Sequence, residues 1–120
     1  MLNLYSANID SNYYRDVKVF YNITKLRNSG ILEALDKFYM RPTIVFFGSG
    51  SYGMDIETSD FDLVIISEKT TEFKDREKFE RKLNRRLQIF AVKDIKEIKN
   101  NHLINNILNG ITIQGAVKWI

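Results

Sequence analysis

The sequence predicts an α/β (α+β) fold, a small mixed β-sheet with helices packed on it. Three observations point to this class. Short runs of β-branched and aromatic residues recur along the chain after residue 42. Segments with apolar residues at helical spacing precede these runs and separate them. The order is helix, strand, loop, strand, helix, strand, helix, which is typical of a mixed sheet covered by helices.

The composition fits one domain over residues 1–120. The chain has 120 residues, of which 44% are hydrophobic, and this is enough for a real core. It has no cysteine, which excludes a disulfide framework and a cysteine-based zinc site. It has one histidine, His102, so histidine-based metal sites and Ser-His catalysis are not expected within one chain.

Charge and apolar runs bear on location and partners. The net charge of +3 suits an anionic partner such as a nucleotide, without the basic stripe of a dedicated DNA binder. The apolar runs are far shorter than the about 20 residues of a membrane span. The N-terminus lacks a basic segment followed by an apolar one. We therefore expect a cytoplasmic protein that does not act in a membrane.

The first 40 residues are predicted to form an N-terminal helical extension, with the core over residues 41–115. Residues 2–8 alternate apolar and polar residues, as a short strand does. Asp10 or Ser11 is expected to cap a helix over residues 13–28. A second helical segment, ILEALDKFY, covers residues 31–39. It ends before Pro42, because proline lacks an amide proton and restricts the residue before it.

The core elements follow in order. TIVFF at residues 43–47 predicts a buried strand. Residues 48–59, which hold three glycines, predict either a loop or a loop that leads into a short helix. FDLVIIS at residues 61–67 predicts the second strand. Residues 71–86 predict a charged amphipathic helix with Phe73, Phe79 and Leu83 inward. LQIFAV at residues 87–92 predicts a third strand. Residues 94–99 and 101–109 look helical, and ITIQ resembles a last short strand.

The first half of a candidate site is the glycine loop, residues 48–59. A strand that ends in Gly48-Ser49 offers backbone amides in a tight turn, which form a nest for an anion, and the serine hydroxyl adds a donor. Gly50 and Gly53 keep the loop slim and allow a ligand to approach the backbone. With Ser51 they complete the predicted nucleotide-binding residues.

The second half is the acid pair, Asp60 and Asp62. Residues two apart in an extended segment project to the same face. Two neighbouring carboxylates repel each other unless a cation lies between them, and Mg²⁺ prefers carboxylate oxygens together with substrate phosphates. The pair is therefore predicted to be catalytic and metal-binding. Each half alone has an ordinary alternative, a surface turn or a solvated strand edge, but an unpaired carboxylate before LVII in a central strand is costly.

These residues resemble a known motif. FFGS, then GSYGMDIETS, then DFDLVII is similar to the minimal nucleotidyltransferases of the DNA polymerase beta superfamily. The resemblance implies a nucleotidyltransferase fold and Mg²⁺-dependent transfer of a nucleoside monophosphate from a nucleoside triphosphate, with ATP the expected nucleotide. It implies that Gly48 and Ser49 contact the phosphates and that Asp60 and Asp62 ligate Mg²⁺. The acceptor would be the hydroxyl of a protein tyrosine or of a nucleic acid end.

Two positions depart from the family pattern. Relatives usually have a third carboxylate on a later strand, and the matching residue here is Gln88, which is neutral and is no base. Asp94, six residues further on, is the alternative acid. Many relatives have a basic residue before the second glycine of the loop, where this chain has Tyr52. A second hypothesis is therefore a catalytically impaired nucleotide-binding module that regulates a partner, and a third is a purely structural domain.

The N-terminal part suggests partners. YSANIDSNYYRDVKVFYNITKLRNSGIL resembles the junction at which a winged-helix DNA-binding domain leads into this domain in some archaeal-type proteins. An ordinary helical extension is the alternative. Some relatives act as antitoxins on a HEPN-type toxin. The aromatic first helix indicates a partner surface, and Trp119 is expected either to pack on the core or to take part in a homodimer.

Overall fold

The computed structural model describes residues 11–118. Five α-helices lie within this range: α1 (Asn12–Ser29), α2 (Ile31–Phe38), α3 (Ser49–Tyr52), α4 (Arg76–Leu83) and α5 (Asn101–Leu108). The strands are β1 (Thr43–Phe47), β2 (Phe61–Ile66), β3 (Leu87–Val92) and β4 (Ile111–Gln114), and a 3₁₀ helix covers Ile95–Glu97. None of the described helices is long and apolar enough to cross a membrane.

The four strands form one mixed sheet in the order β3-β2-β1-β4. β1 pairs antiparallel with both β2 and β4, and β2 pairs parallel with β3. The crossover from β2 to β3 contains α4, as a parallel connection requires. This arrangement confirms the predicted fold class, a small mixed sheet with helices packed on it.

Both faces of the sheet are covered. On one face the side chains of Phe61, Leu63 and Ile65 pack against α1, α2 and α4. On the other face Val45, Phe47 and Val64 pack against the 3₁₀ helix and α5. Side chains alternate along a strand, so the side chain of Asp62 projects to this second face, while its neighbours in sequence, Phe61 and Leu63, project to the first.

The N-terminal helices begin and end within one residue of the predicted positions. Ser11 caps α1, and its hydroxyl accepts a hydrogen bond from the Tyr14 amide at 3.1 Å. Gly30 separates α1 from α2 in the left-handed conformation, with φ of 86°. The outward side of α1 leaves large aromatic side chains in solvent, with Tyr13, Phe20 and Tyr21 exposed by 59%, 74% and 50%.

Two helix predictions were wrong in extent. α4 begins at Arg76, not at residue 71, because the preceding segment is held by aromatic packing: Phe73 is buried, with its ring centroid 5.4 Å from that of Phe38. Of residues 94–99, only Ile95–Glu97 is helical, as one 3₁₀ turn capped by the Asp94 side chain. The strand expected at residues 2–8 and Trp119 lie outside the described residues, and the division at residue 40 stays a prediction.

Candidate functional site

The two halves of the candidate site meet at the end of the β1–β2 pair. Phe47, the last residue of β1, pairs directly with Asp62 of β2. Gly48 follows at once, with φ of 80° and ψ of −168°, a backbone region that is open essentially to glycine alone. A Cβ atom at Gly48 would collide with the Asp62 carboxylate. The start of the glycine loop therefore lies directly against one member of the acid pair.

The residues after Gly48 form the short turn of α3. Ser49 is exposed, while Gly50 and Ser51 are buried. The Ser51 hydroxyl donates to the Gly48 carbonyl at 2.7 Å, and a Cβ at Gly50 would lie 2.8 Å from a ring carbon of Phe46. Of these predicted nucleotide-binding residues, Ser49 is therefore exposed to solvent and Gly48 is half-buried, while Gly50 and Ser51 fix the shape of the turn.

Gly53 brings α1 against the glycine loop. It has φ of 72°, and a Cβ atom there would collide with the backbone carbonyl of Arg15. Glycine at this position allows the two backbones to touch. The first helix thus forms one wall of the candidate site, a role that the sequence interpretation did not assign to it.

A cavity of about 760 Å³ opens between this wall and the loop. Its volume lies within the range of small-molecule sites. Residues of three elements line it, from the glycine loop, from α1 and from α5: Gly48, Ser49, Ser51, Tyr52, Met54, Asn12, Arg15, Asp16, Val19 and Asn106. The loop portion was predicted; the contributions of α1 and α5 follow from tertiary packing.

The acid pair lies at the same end of the sheet. Asp62 is half-buried, and its burial raises the pKa of this carboxyl from 3.8 to about 6, with a further contribution from the negative charge of Asp60. A carboxylate that is costly to ionise gains from a neighbouring cation, so the chemistry of this donor pair fits a divalent metal.

Gln88 occupies the third position. It pairs with Asp62 across the parallel β2–β3 ladder, and its Nε2 donates to Oδ2 of Asp60 at 3.0 Å. Asp94 lies six residues along the chain, past the opposite end of β3, about 20 Å away at strand spacing. Its carboxylate accepts from the Lys96 amide instead. Within residues 11–118, no group of three histidine or acidic side chains is arranged to hold a metal ion.

A buried polar cluster, missed at the sequence level, holds the glycine loop in place. The carboxylate of Asp55 is fully buried and lies 2.8 Å from Arg85 Nη1 and 3.9 Å from Lys18 Nζ. Asn22 of α1, 1% exposed, donates to Oδ1 of Asp55 at 2.9 Å and to the Gly50 carbonyl at 3.0 Å.

This cluster connects α1, the loop and the segment before β3. The Arg85 guanidinium also donates to the Ser59 carbonyl and stacks over Phe61 at 4.5 Å from the ring centroid. The loop between the two halves of the site is thereby fixed at both ends. The sequence signal for it is weak: one acid, Asp55, between two apolar residues, and one asparagine on the inward side of a helix.

Comparison with known families agrees with this geometry. The family model described as nucleotidyltransferase domain matches residues 29–112, from the end of α1 to β4. The matched span includes the glycine loop, the acid pair and Gln88. No curated protein matches the chain in sequence. The resemblance noted in the motif is confirmed, and the chain belongs to the nucleotidyltransferase domain family.

Proposed function

We propose that the protein is a Mg²⁺-dependent nucleotidyltransferase that transfers a nucleoside monophosphate from a nucleoside triphosphate, ATP in the first instance, to an acceptor hydroxyl. The contact between Gly48 and Asp62 supports this best. It joins the glycine loop and the acid pair into one site. Neither half alone distinguishes a functional site from an ordinary turn or strand edge.

In this proposal the glycine loop binds the phosphates. The exposed Ser49 hydroxyl and backbone amides of the turn at Gly48 donate to phosphate oxygens. Asp60 and Asp62 would hold Mg²⁺. When bound, the ion would offset the charge on the phosphates during transfer. The protein's part is to orient the α-phosphorus toward the acceptor, with pyrophosphate as the leaving group.

A second candidate function is regulatory: a nucleotide-binding module with impaired catalysis that acts on a partner. Gln88 favours this second candidate. Its side-chain amide donates a hydrogen bond to Asp60, whereas a third carboxylate at this position would take the proton of the acceptor hydroxyl. The exposed aromatic residues of α1 favour a protein partner, since apolar surface of this kind is typical of interfaces. The partner would be a winged-helix domain, a HEPN-type toxin or a second copy of the chain, in the cytoplasm.

One transfer assay separates the two candidates. The protein is incubated with ATP labelled at the α-phosphorus and Mg²⁺, with and without candidate partners. Label that appears on a protein or nucleic acid, and disappears in Asp60→Ala/Asp62→Ala, supports the enzyme. Binding of ATP without transfer supports the regulatory module. Asp75→Ala, which removes an exposed carboxylate that makes no capping hydrogen bond, is the matched control and should behave as the wild type.

A further inference from the structure

The glycine loop carries no positive side chain. Residues 48–59 include neither lysine nor arginine. A triphosphate brings more negative charge than one Mg²⁺ offsets, and phosphate sites in proteins commonly include arginine or lysine. If the site binds a nucleoside triphosphate, as proposed above, another part of the chain supplies the missing cation.

Lys18, Arg85 and Arg15 lie near the loop, and the first two are already engaged. Arg81 and Arg86 line a different cavity, beside Glu57 and Thr58 at the far end of the loop. Lys18 and Arg85 both face the buried carboxylate of Asp55. Arg15 lines the 760 Å³ cavity together with Gly48 and Ser49. Within the described residues it takes part in no ion pair, and its buried Nε has no hydrogen-bond partner there.

The packing of α1 holds Arg15 at this place. Its backbone touches Gly53, and about two helical turns further on Asn22 donates to the Gly50 carbonyl. Both contacts fix α1 against the two ends of the α3 turn. Asp16, the next residue, lines the same cavity, so without a positive neighbour this wall would repel a phosphate.

We propose that Arg15 binds the phosphate chain of the nucleotide and supplies the positive charge that the glycine loop lacks. The planar guanidinium presents paired donors that match phosphate oxygens. Arg15 lies before the matched family span of residues 29–112. The nucleotide site would thus include α1, and the N-terminal helix would be part of the binding machinery and not an appendage.

The test is calorimetric binding of two probes, MgATP and inorganic triphosphate with Mg²⁺, which has no base. Arg15→Gln should weaken both by roughly 10- to 100-fold, the range for a hydrogen bond to a charged group. Arg15→Lys keeps the charge and should recover part of the affinity. Arg27→Gln removes an exposed charge from the same helix outside the cavity and should bind as the wild type. Thermal melts check that each variant folds.

The outcomes are distinguishable. If the wild type binds and Arg15→Gln binds as tightly as Arg27→Gln, the role of Arg15 is refuted while the proposed function stands. If the wild type binds neither probe, the proposed function fails and the role of Arg15 fails with it. Equal weakening by Arg15→Gln and Arg27→Gln would assign the effect to overall charge, and would also overturn the proposal.

Discussion

Replacement of Asp62 by asparagine is expected to stabilise the metal-free protein at neutral pH. Burial, aided by Asp60, raises the pKa of the Asp62 carboxyl from 3.8 to about 6. The folded state therefore holds this proton over a pH range in which the unfolded chain releases it. The stability that this protonated carboxyl contributes to the folded state is fully present below about pH 4 and is lost as the pH rises through about 6.

The magnitude follows from the size of this shift. Raising a carboxyl pKa from 3.8 to about 6 corresponds to about 3 kcal/mol for a fully buried group. Because Asp62 is only half-buried, water screens much of this, and about 1 kcal/mol is the realistic expectation. For a chain of this size that raises the melting temperature of Asp62→Asn by about 4 °C over the wild type at pH 7.5.

Thermal melts in EDTA, from pH 4.5 to 7.5, measure the difference. The difference in melting temperature between Asp62→Asn and the wild type should increase as the pH rises and then level off above pH 7. Asp75→Asn, which neutralises an exposed carboxylate, should show no such gap. If Asp62→Asn is less stable than the wild type at pH 7.5 in EDTA, the carboxylate is satisfied by the protein itself, and the argument for a cation beside it is refuted.

Three further substitutions test the scaffold of the site, each by urea denaturation or Mg²⁺ titration. Gly48→Ala should lower the free energy of unfolding by roughly 2–5 kcal/mol, because it adds backbone strain and a collision with the neighbouring carboxylate. Gly30→Ala, with φ of 86° but with its nearest atom at 3.9 Å, should lower it by only about 1–2 kcal/mol, and equal losses would contradict the close approach at Gly48. Asp55→Ala should lower the free energy of unfolding by roughly 3–5 kcal/mol, because it leaves the nearly buried Arg85 without its counter-charge. Glu33→Ala breaks an exposed ion pair and should lower it by less than about 0.5 kcal/mol; an equally small loss for Asp55→Ala would refute the role of the buried cluster. Gln88→Asp should lower the melting temperature in EDTA and increase the gain from added Mg²⁺, since it places a third acid beside the pair; an unchanged response to Mg²⁺ would show that this position does not face the ion.

Local patterns were sufficient for most of the fold. TIVFF and LQIFAV became strands over the predicted residues, because short β-branched and aromatic runs have few other ways to be buried. The breaks at Gly30 and Pro42 likewise follow from backbone chemistry. The start of α4 was wrong because Phe73 is fixed by ring packing against residues 35 positions away, which no local window contains.

The candidate site was likewise predicted from local sequence only in part. The glycine loop and the acid pair were identified because their residue types and spacing have a direct chemical reason. Asp55 and Arg15 were missed because their roles depend on α1 packing across the loop. A lone acid in a loop, or an arginine on a helix, is usually solvated. Only the tertiary structure shows that Asp55 and Arg15 are not ordinary solvated residues.

Calorimetric titration of ATP tests the central claim most directly. The wild type and Asp60→Asn/Asp62→Asn are each titrated in Mg²⁺ and in EDTA. We predict binding to the wild type in Mg²⁺, and none in EDTA or to the double variant, which is expected to remain folded because loss of the Asp62 charge stabilises the metal-free protein. No binding to the wild type in Mg²⁺, or equal binding to the double variant, would contradict the assignment of this site.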